Sequence, residues 1–407
     1  MDFSIGYAEK TYAIGLLSTL ITSILFKKEI FHIISSIFII IYVYGIYSTI
    51  LFFASIFINY TLLLIFQSSN ILVLYNFTTL TVYNILEYSK NITTGFNITV
   101  PIMLLTIKMY YLGKEYKSPN IKINNFLRSI FRLAKQKEDI VYDKKESKHE
   151  KKNVVHGIKD FWGYLLHTPG LLIGPSPSFL FYLKHRFSTP NYRKGLLILL
   201  ESFFYLSIHR IFENVFSKKL LLIRHAFYKQ IIFIILYGIG QRSRYYFAWT
   251  FSRACYLFAG MDVINIYPFQ VETSTTIRDL KDSWNVYTNA WLKDCFYLSL
   301  NGSRFVRSLY TFFASALWHG VRPAYFLMFF SFAICSPLLR SNNRVIRSWV
   351  LRWIQMVLWL SYIEIPFLVV NLADTIRIWR NVYFYGNVYM LLSIIYYLKT
   401  KKSKQML

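Results

Sequence analysis

An all-α fold threaded many times through a bilayer is what this sequence predicts, and three observations predict it. Of the 407 residues, 55% are hydrophobic and only 16% are charged, with a mean hydropathy of +0.36, a balance foreign to a soluble domain of this length. Apolar runs recur from end to end, each near the ~20 residues a helix needs to cross the hydrocarbon. The lysines and arginines behind the formal charge of +26 lie between those runs and not along one amphipathic surface. That pattern marks loops beside anionic headgroups and points away from nucleic acid. The length rule yields about ten to twelve membrane segments in one membrane domain over residues 1–407, with no sizeable soluble core beside it.

In chain order, the amino terminus MDFSIGYAEK sets Asp2 and Glu9 against Lys10 and so lacks a cleaved signal's positive leader; the first run is expected to stay as a signal anchor. Spans are expected at 12–26, 30–46, 47–66, 71–86 and 98–112. Residues 114–160 then turn basic, with Lys135, Lys137, Lys144, Lys145, Lys148, Lys151 and Lys152 outnumbering Glu138, Asp139, Asp143 and Glu146. The lysine excess predicts a cytosolic linker. One crossing earlier, the sequons at Asn91 and Asn97 would face the lumen, in agreement with that orientation. An apolar run at 161–173 gives way to the breakers of GLLIGPSP, 170–177, which predict an interfacial turn. Further runs lie at 195–211, 220–239, 245–259, 305–334, 348–370 and 382–398, and the basic tail KTKKSKQML is placed in the cytosol. No internal repeat is evident, which weighs against an inverted-repeat transporter. Cys255, Cys295 and Cys335 have neither C-x-x-C spacing nor histidines at ligand intervals, so no disulfide framework and no metal site is expected.

Chemistry concentrates in two stretches. In the first, between Gly238 and Asn285, Arg242, Arg244 and Arg253 stand among Tyr245, Tyr246 and Trp249. Such a set is either an aromatic belt with cationic anchors or a clamp for phosphate oxygens, and spacing alone leaves both open. In the second, 283–325, an apolar run ends in Trp318, His319 and Gly320. A histidine there must find hydrogen-bond partners or be put to use. Asn285 and His319 are separated by enough chain for two helices and a turn, which permits a meeting without showing one.

These residues resemble a known family. Trp318, His319 and Gly320, followed by Pro323 and Tyr325, resemble the W-H-G-x-x-P-x-Y motif of the membrane-bound O-acyltransferases. Trp284 and Asn285, followed by Thr288 and by Trp291, Leu292 and Lys293, look like the asparagine motif of its lysophospholipid branch. Arg242, Ser243, Arg244, Tyr245, Tyr246 and Trp249 resemble that branch's R-x-K-Y-Y-x-x-W, with arginine for lysine at 244. Asn265 and Glu272 match its N-x-x-x-x-x-x-E element, and Gly174 and Pro175 stand where it keeps a G-P motif. The five motifs fall in order over 174–325. Ala324 replaces the usual glycine, and Ser176 and Pro177 replace the common continuation after G-P.

The resemblance implies transfer of a fatty acyl group from acyl-CoA to the free hydroxyl of a lysophospholipid, in a chamber within the bilayer of the endoplasmic reticulum. It implies His319 as general base and Asn285 as polarising or positioning residue. Substrate contacts are expected from Arg242, Arg244, Tyr245, Tyr246, Asn265, Glu272, Trp284 and Trp318. Acyl-CoA enters as co-substrate, with no resident cofactor and no metal. Two rivals stand beside this reading: a branch of the same family acting on a sterol, diacylglycerol, peptide or protein, and a channel or transporter.

Overall fold

The computed structural model describes residues 7–90, 99–116 and 157–405. All regular structure among them is helical, without a strand. The linker lysines and both sequons lie outside the described residues.

Five helices open the chain: α1 (Tyr7–Leu25), α2 (Glu29–Tyr44), α3 (Ile46–Phe66), α4 (Ser69–Lys90) and α5 (Thr99–Glu115). They follow the first five apolar runs closely. Helices α3 and α4 are pinned by a reciprocal amide pair, Asn76 Nδ2 donating to Asn59 Oδ1 at 2.6 Å and Asn59 Nδ2 to Asn76 Oδ1 at 3.2 Å. Between apolar helices a paired amide adds specificity that apolar contact alone cannot.

The expected run at 161–173 is not a span. It holds the short α6 (Ile158–Leu165) and a 3₁₀ turn at Thr168–Gly170, then continues as buried non-helical chain to Ser178, whose hydroxyl caps α7 (Phe179–His185). Such backbone survives inside a protein only if its polar groups are met. Here Lys108 Nζ donates to the carbonyls of Tyr164 and Leu165 at 3.2 and 2.8 Å, and Ser36 Oγ to that of Leu166 at 2.7 Å.

Asn191 caps α8 (Tyr192–Val215), and after the short α9 (Lys218–Leu222) comes α10 (Phe227–Phe258). The two expected runs at 220–239 and 245–259 therefore join in one helix: of the polar residues between them, Arg242 is neutralised by Glu272 and Glu364, Ser243 bonds back to Ile239 O, and Arg244 faces outward. Helices α8 and α10 run antiparallel and close: a Cβ on Gly195 would fall 2.5 Å from Phe258, and one on Gly240 2.6 Å from Phe212. Small residues at such crossings let backbones approach.

Short helices follow, α11 (Pro268–Glu272), α12 (Ile277–Ser283) and α13 (Val286–Leu292), then a π turn at Lys293–Tyr297. The single run expected at 305–334 breaks at Gly320 into an antiparallel hairpin of α14 (Arg304–His319) and α15 (Pro323–Val345), zipped by Phe312 against Phe332 and Phe313 against Phe330. Last come α16 (Trp349–Ile363), α17 (Ile365–Val369), the amphipathic α18 (Leu372–Asn381), which the apolar-run criterion passes over, and α19 (Tyr385–Gln405).

By length and composition, Ile46–Phe66 and Tyr192–Val215 are apolar enough to cross a bilayer, and Glu29–Tyr44, Pro323–Pro337 and Tyr385–Ile395 are shorter apolar stretches. Among the described residues two large apolar cores stand beside a small third one, in which Leu20 of α1 meets Phe251, Ala254, Cys255 and Phe258 of α10. Of the two large cores, one gathers α2 to α7 with Trp291 and Trp318; the other gathers α10 and α15 to α18. Helix α14 lies along their seam, with Trp318 in the first core and Phe312 packed against the second.

Candidate active site

Asn285 is held from beneath by Asn265. The non-helical segment after α10 runs beside the start of α13, with Val286 N–H donating to Asn265 O at 2.9 Å and Tyr267 N–H to Ser283 O at 3.0 Å. The buried Asn265 amide accepts from Tyr287 N–H through Oδ1 and donates through Nδ2 to Asn285 Oδ1, both at 3.0 Å. Because a backbone N–H can only donate, this chain fixes the orientation of both amides in turn. Asn285 itself is left-handed, φ 47° and ψ 55°, a conformation asparagine tolerates better than most residues. The result is a half-buried amide whose oxygen is engaged while its Nδ2 has no partner among the described residues. It presents donors.

His319 closes α14. Its neighbour Trp318 donates Nε1–H to Met103 O at 3.1 Å and packs on Trp291, 5.5 Å between centroids. Gly320 turns the chain with φ 131°, and a Cβ there would lie 3.2 Å from Asn84 Oδ1, so a side chain would crowd the turn. The imidazole is walled by rings: Trp318 at 4.9 Å, Phe329 stacked at 5.3 Å, Phe367 edge-on at 5.0 Å and Tyr325 at 6.1 Å. It remains only half-buried, and neither nitrogen has a hydrogen-bond partner among the described residues. His32, His185, His209 and His225, by contrast, each donate to a backbone carbonyl. No hydrogen bond joins Asn285 and His319; what links their helices is Trp291, on the helix Asn285 begins, against Trp318.

The arginine-tyrosine set is split by the helix that carries it, since residues two apart point to opposite faces. Arg242 is buried, its Nε and Nη2 forming a fork on Glu272 at 2.8 and 2.7 Å and its Nη1 bonding Glu364 at 2.6 Å. Tyr246, one turn on, donates to Glu272 at 2.5 Å. Arg244 is exposed, its guanidinium 5.3 Å from the Tyr245 ring, and it has no carboxylate partner among the described residues. Tyr245, Tyr246 and Trp249 cage Trp284, at 5.6, 6.0 and 5.2 Å. The structure thus divides the expected clamp into Arg242, buried between two carboxylates, Arg253, paired with Asp262 at 2.8 Å, and Arg244 as the open cation.

The G-P turn packs on the far half of α10. Ser252 Oγ donates to Pro169 O at 2.9 Å and also reaches Gly174 O, and Tyr256 OH donates to Pro175 O at 2.9 Å. Three residues that sequence reasoning passed over enter here: Asn84 beside Gly320, Glu364 on Arg242 and Phe367 on His319. None lies in a polar cluster of sequence, and only their partners across the fold reveal them.

Comparison with known proteins identifies the family. The family profile for MBOAT, the membrane-bound O-acyltransferase family, matches residues 52–373. The chain is 28% identical over 300 residues to the lysophospholipid acyltransferase of Schizosaccharomyces pombe, covering 60% of this chain and 58% of that protein. Against the Saccharomyces cerevisiae lysophospholipid acyltransferase it is 31% identical over 199 residues, 40% of this chain and 32% of that one. Membrane-bound glycerophospholipid O-acyltransferase 2 of Mus musculus is 28% identical over 193 residues, 41% and 36% of the two chains. These matches span from about a third to under two thirds of the relatives' lengths. With the family match running from Phe52 on α3 to Ala373 on α18 and holding every motif described above, this chain belongs to the membrane-bound O-acyltransferase family.

Proposed function

We propose that this protein is a lysophospholipid O-acyltransferase, moving a fatty acyl group from acyl-CoA to the free hydroxyl of a lysophospholipid. The observation that carries it is the imidazole of His319: ring-walled, partly open and without a hydrogen-bond partner, it has a nitrogen available for a substrate hydroxyl. Acting as general base, a role usually worth ~10²–10⁴ in rate, His319 takes the hydroxyl proton as the oxygen attacks the thioester carbonyl. The carbon-oxygen bond forms, a tetrahedral oxyanion develops, and its collapse breaks the carbon-sulfur bond. The proton passes from His319 to the departing CoA sulfur. Asn285 Nδ2 supplies a donor to the oxyanion, its orientation set in advance by Asn265, and preorganised donors of this sort are worth about 3 kcal/mol. No covalent acyl-enzyme is needed, because the thioester is already activated and positioning provides much of the remaining acceleration.

Arg244 is the cation we assign to substrate phosphate, since it alone of the motif pair is open. The remaining elements belong to the same proposal: a single domain of ten to twelve membrane segments around an intrabilayer chamber, multi-pass in the endoplasmic reticulum, with acyl-CoA as co-substrate and no resident cofactor or metal. The match to relatives that are named lysophospholipid acyltransferases favours this acceptor over sterols, diacylglycerol or proteins.

Purified protein in vesicles, given labelled acyl-CoA and a panel of lysolipids, should incorporate label into diacyl phospholipid; uptake without incorporation would instead indicate transport. Asn285→Asp keeps the acceptor for Asn265 but removes the donor, so turnover should fall about 100-fold with acyl-CoA affinity unchanged. A loss confined to affinity would make Asn285 a binding residue. Arg244→Ala should weaken apparent acyl-CoA affinity about tenfold with turnover retained, as for loss of one charge-assisted contact. Unchanged affinity would end its assignment to phosphate.

A further inference from the structure

Glu364 and Phe367 belong to none of the motifs, yet they stand between the arginine of α10 and His319. Glu364 is the joint at which α16 ends and α17 begins. Its carbonyl accepts the N–H groups of Phe367 and Leu368, each at 3.0 Å, so where Glu364 sits decides where the turn carrying Phe367 sits. Its carboxylate is bound to Arg242, the two side chains 6% and 5% exposed. It lies over Gly238, one turn before Arg242, where a Cβ would come 2.1 Å from Glu364 Oε1. Glycine at 238 is what admits the carboxylate. At the other end of the turn, the Phe367 ring meets His319 edge-on at 5.0 Å, Tyr325 at 5.2 Å and Phe329 at 6.2 Å.

The geometry points to Glu364 as a positioning residue: clamped by Arg242, it fixes the turn whose Phe367 sets the plane and location of the His319 ring. Edge-to-face contacts are directional, and an aromatic wall that shifts moves the imidazole with it. A buried ion pair is poorly suited to adding stability but well suited to selecting one arrangement of the elements it joins. The chain of contacts from Glu272 through Arg242, Glu364 and Phe367 thus ties the R-x-R-Y-Y helix to the W-H-G turn. This inference rests on the reading of His319 as the proton acceptor.

The test uses the full chain in detergent or vesicles and the variants Glu364→Gln, Phe367→Leu and their combination. Three quantities are read: kcat and KM for acyl transfer, thermal unfolding, and the rate at which diethyl pyrocarbonate modifies His319, followed by mass spectrometry of its peptide. Each single variant should lower kcat on the order of 10- to 100-fold, the scale of a small misplacement of a reacting group, with KM values retained. His319 should be modified several-fold faster, and the double variant should be no worse than the poorer single one. Additive losses, or an unchanged modification rate in folded variants, would overturn the proposal. Should Glu364→Gln fail to fold, Gly238→Ala displaces the same carboxylate while leaving both charges in place, and Phe367→Leu reads the far end. The modification rate does not depend on acyl transfer. An altered rate in a protein inactive toward every lysolipid would leave the positioning role standing and remove the proposed function; active protein with an unaltered rate would do the reverse.

Discussion

Replacing His319 by alanine should abolish most acyl transfer, with a drop of about 10²–10⁴-fold, the usual contribution of a general base. The protein should still fold. The imidazole forms no hydrogen bond among the described residues, so its removal leaves no donor or acceptor of the fold unmet. What is lost structurally is part of a ring wall shared by Phe329 and Phe367. The check is turnover of labelled acyl-CoA at saturating lysolipid beside a thermal unfolding curve. Loss of both would identify a packing residue; retention of turnover in folded protein would remove His319 from the mechanism.

Arg242→Met should have the largest effect on stability, about 3–5 kcal/mol, because it leaves the buried Glu364 and the Glu272 carboxylate facing each other without a cation. Breaking a buried pair on one side is costly, whereas replacing the whole set by neutral groups of similar volume is often tolerated. The triple variant Arg242→Met, Glu272→Gln, Glu364→Gln should therefore recover much of the thermal stability lost in the single variant. Measured together, unfolding temperature and acyl-CoA kinetics separate two roles for this arginine. A phosphate ligand would weaken acyl-CoA binding and leave the unfolding temperature alone; the ion pair predicts the opposite. Failure of the triple variant to regain stability would mean that Arg242 matters for contacts other than its carboxylates.

How far the sequence alone reached depended on the range of the interactions involved. Helices α1 to α5 follow their apolar runs because hydropathy is local, and the break at Gly320 is carried by a glycine followed closely by Pro323, a signal present in the sequence but submerged in the long apolar run at 305–334. The fusion into α10 was illegible for the opposite reason. Arg242 looks like the end of an apolar segment until Glu272 and Glu364, 30 and 122 residues away, are seen to neutralise it. Asn265 and Asn285 were visible as motif residues, but their mutual hydrogen bond, which decides the face Asn285 offers, was not. The motif grouping of Arg242 with Arg244 obscured a simple helical fact: two residues apart is the wrong spacing for a shared face. Glu364 stood out only as an acid inside the apolar run at 348–370, with nothing local to name its partner, and Phe367 was one phenylalanine among 36.

The buried non-helical stretch around the G-P turn also constrains how the protein is made. Ser252 and Tyr256, which supply hydrogen bonds to its carbonyls at Pro169, Gly174 and Pro175, lie some 80 residues downstream. Synthesis runs from the amino end, so this stretch leaves the ribosome before its donors exist. Hydrocarbon offers no substitute for them. Until α10 has formed, those three carbonyls have to be met by water or by other donors, and only with α10 in place does the stretch reach its observed hydrogen bonding. Assembly of the first core is thereby made dependent on a helix from later in the chain.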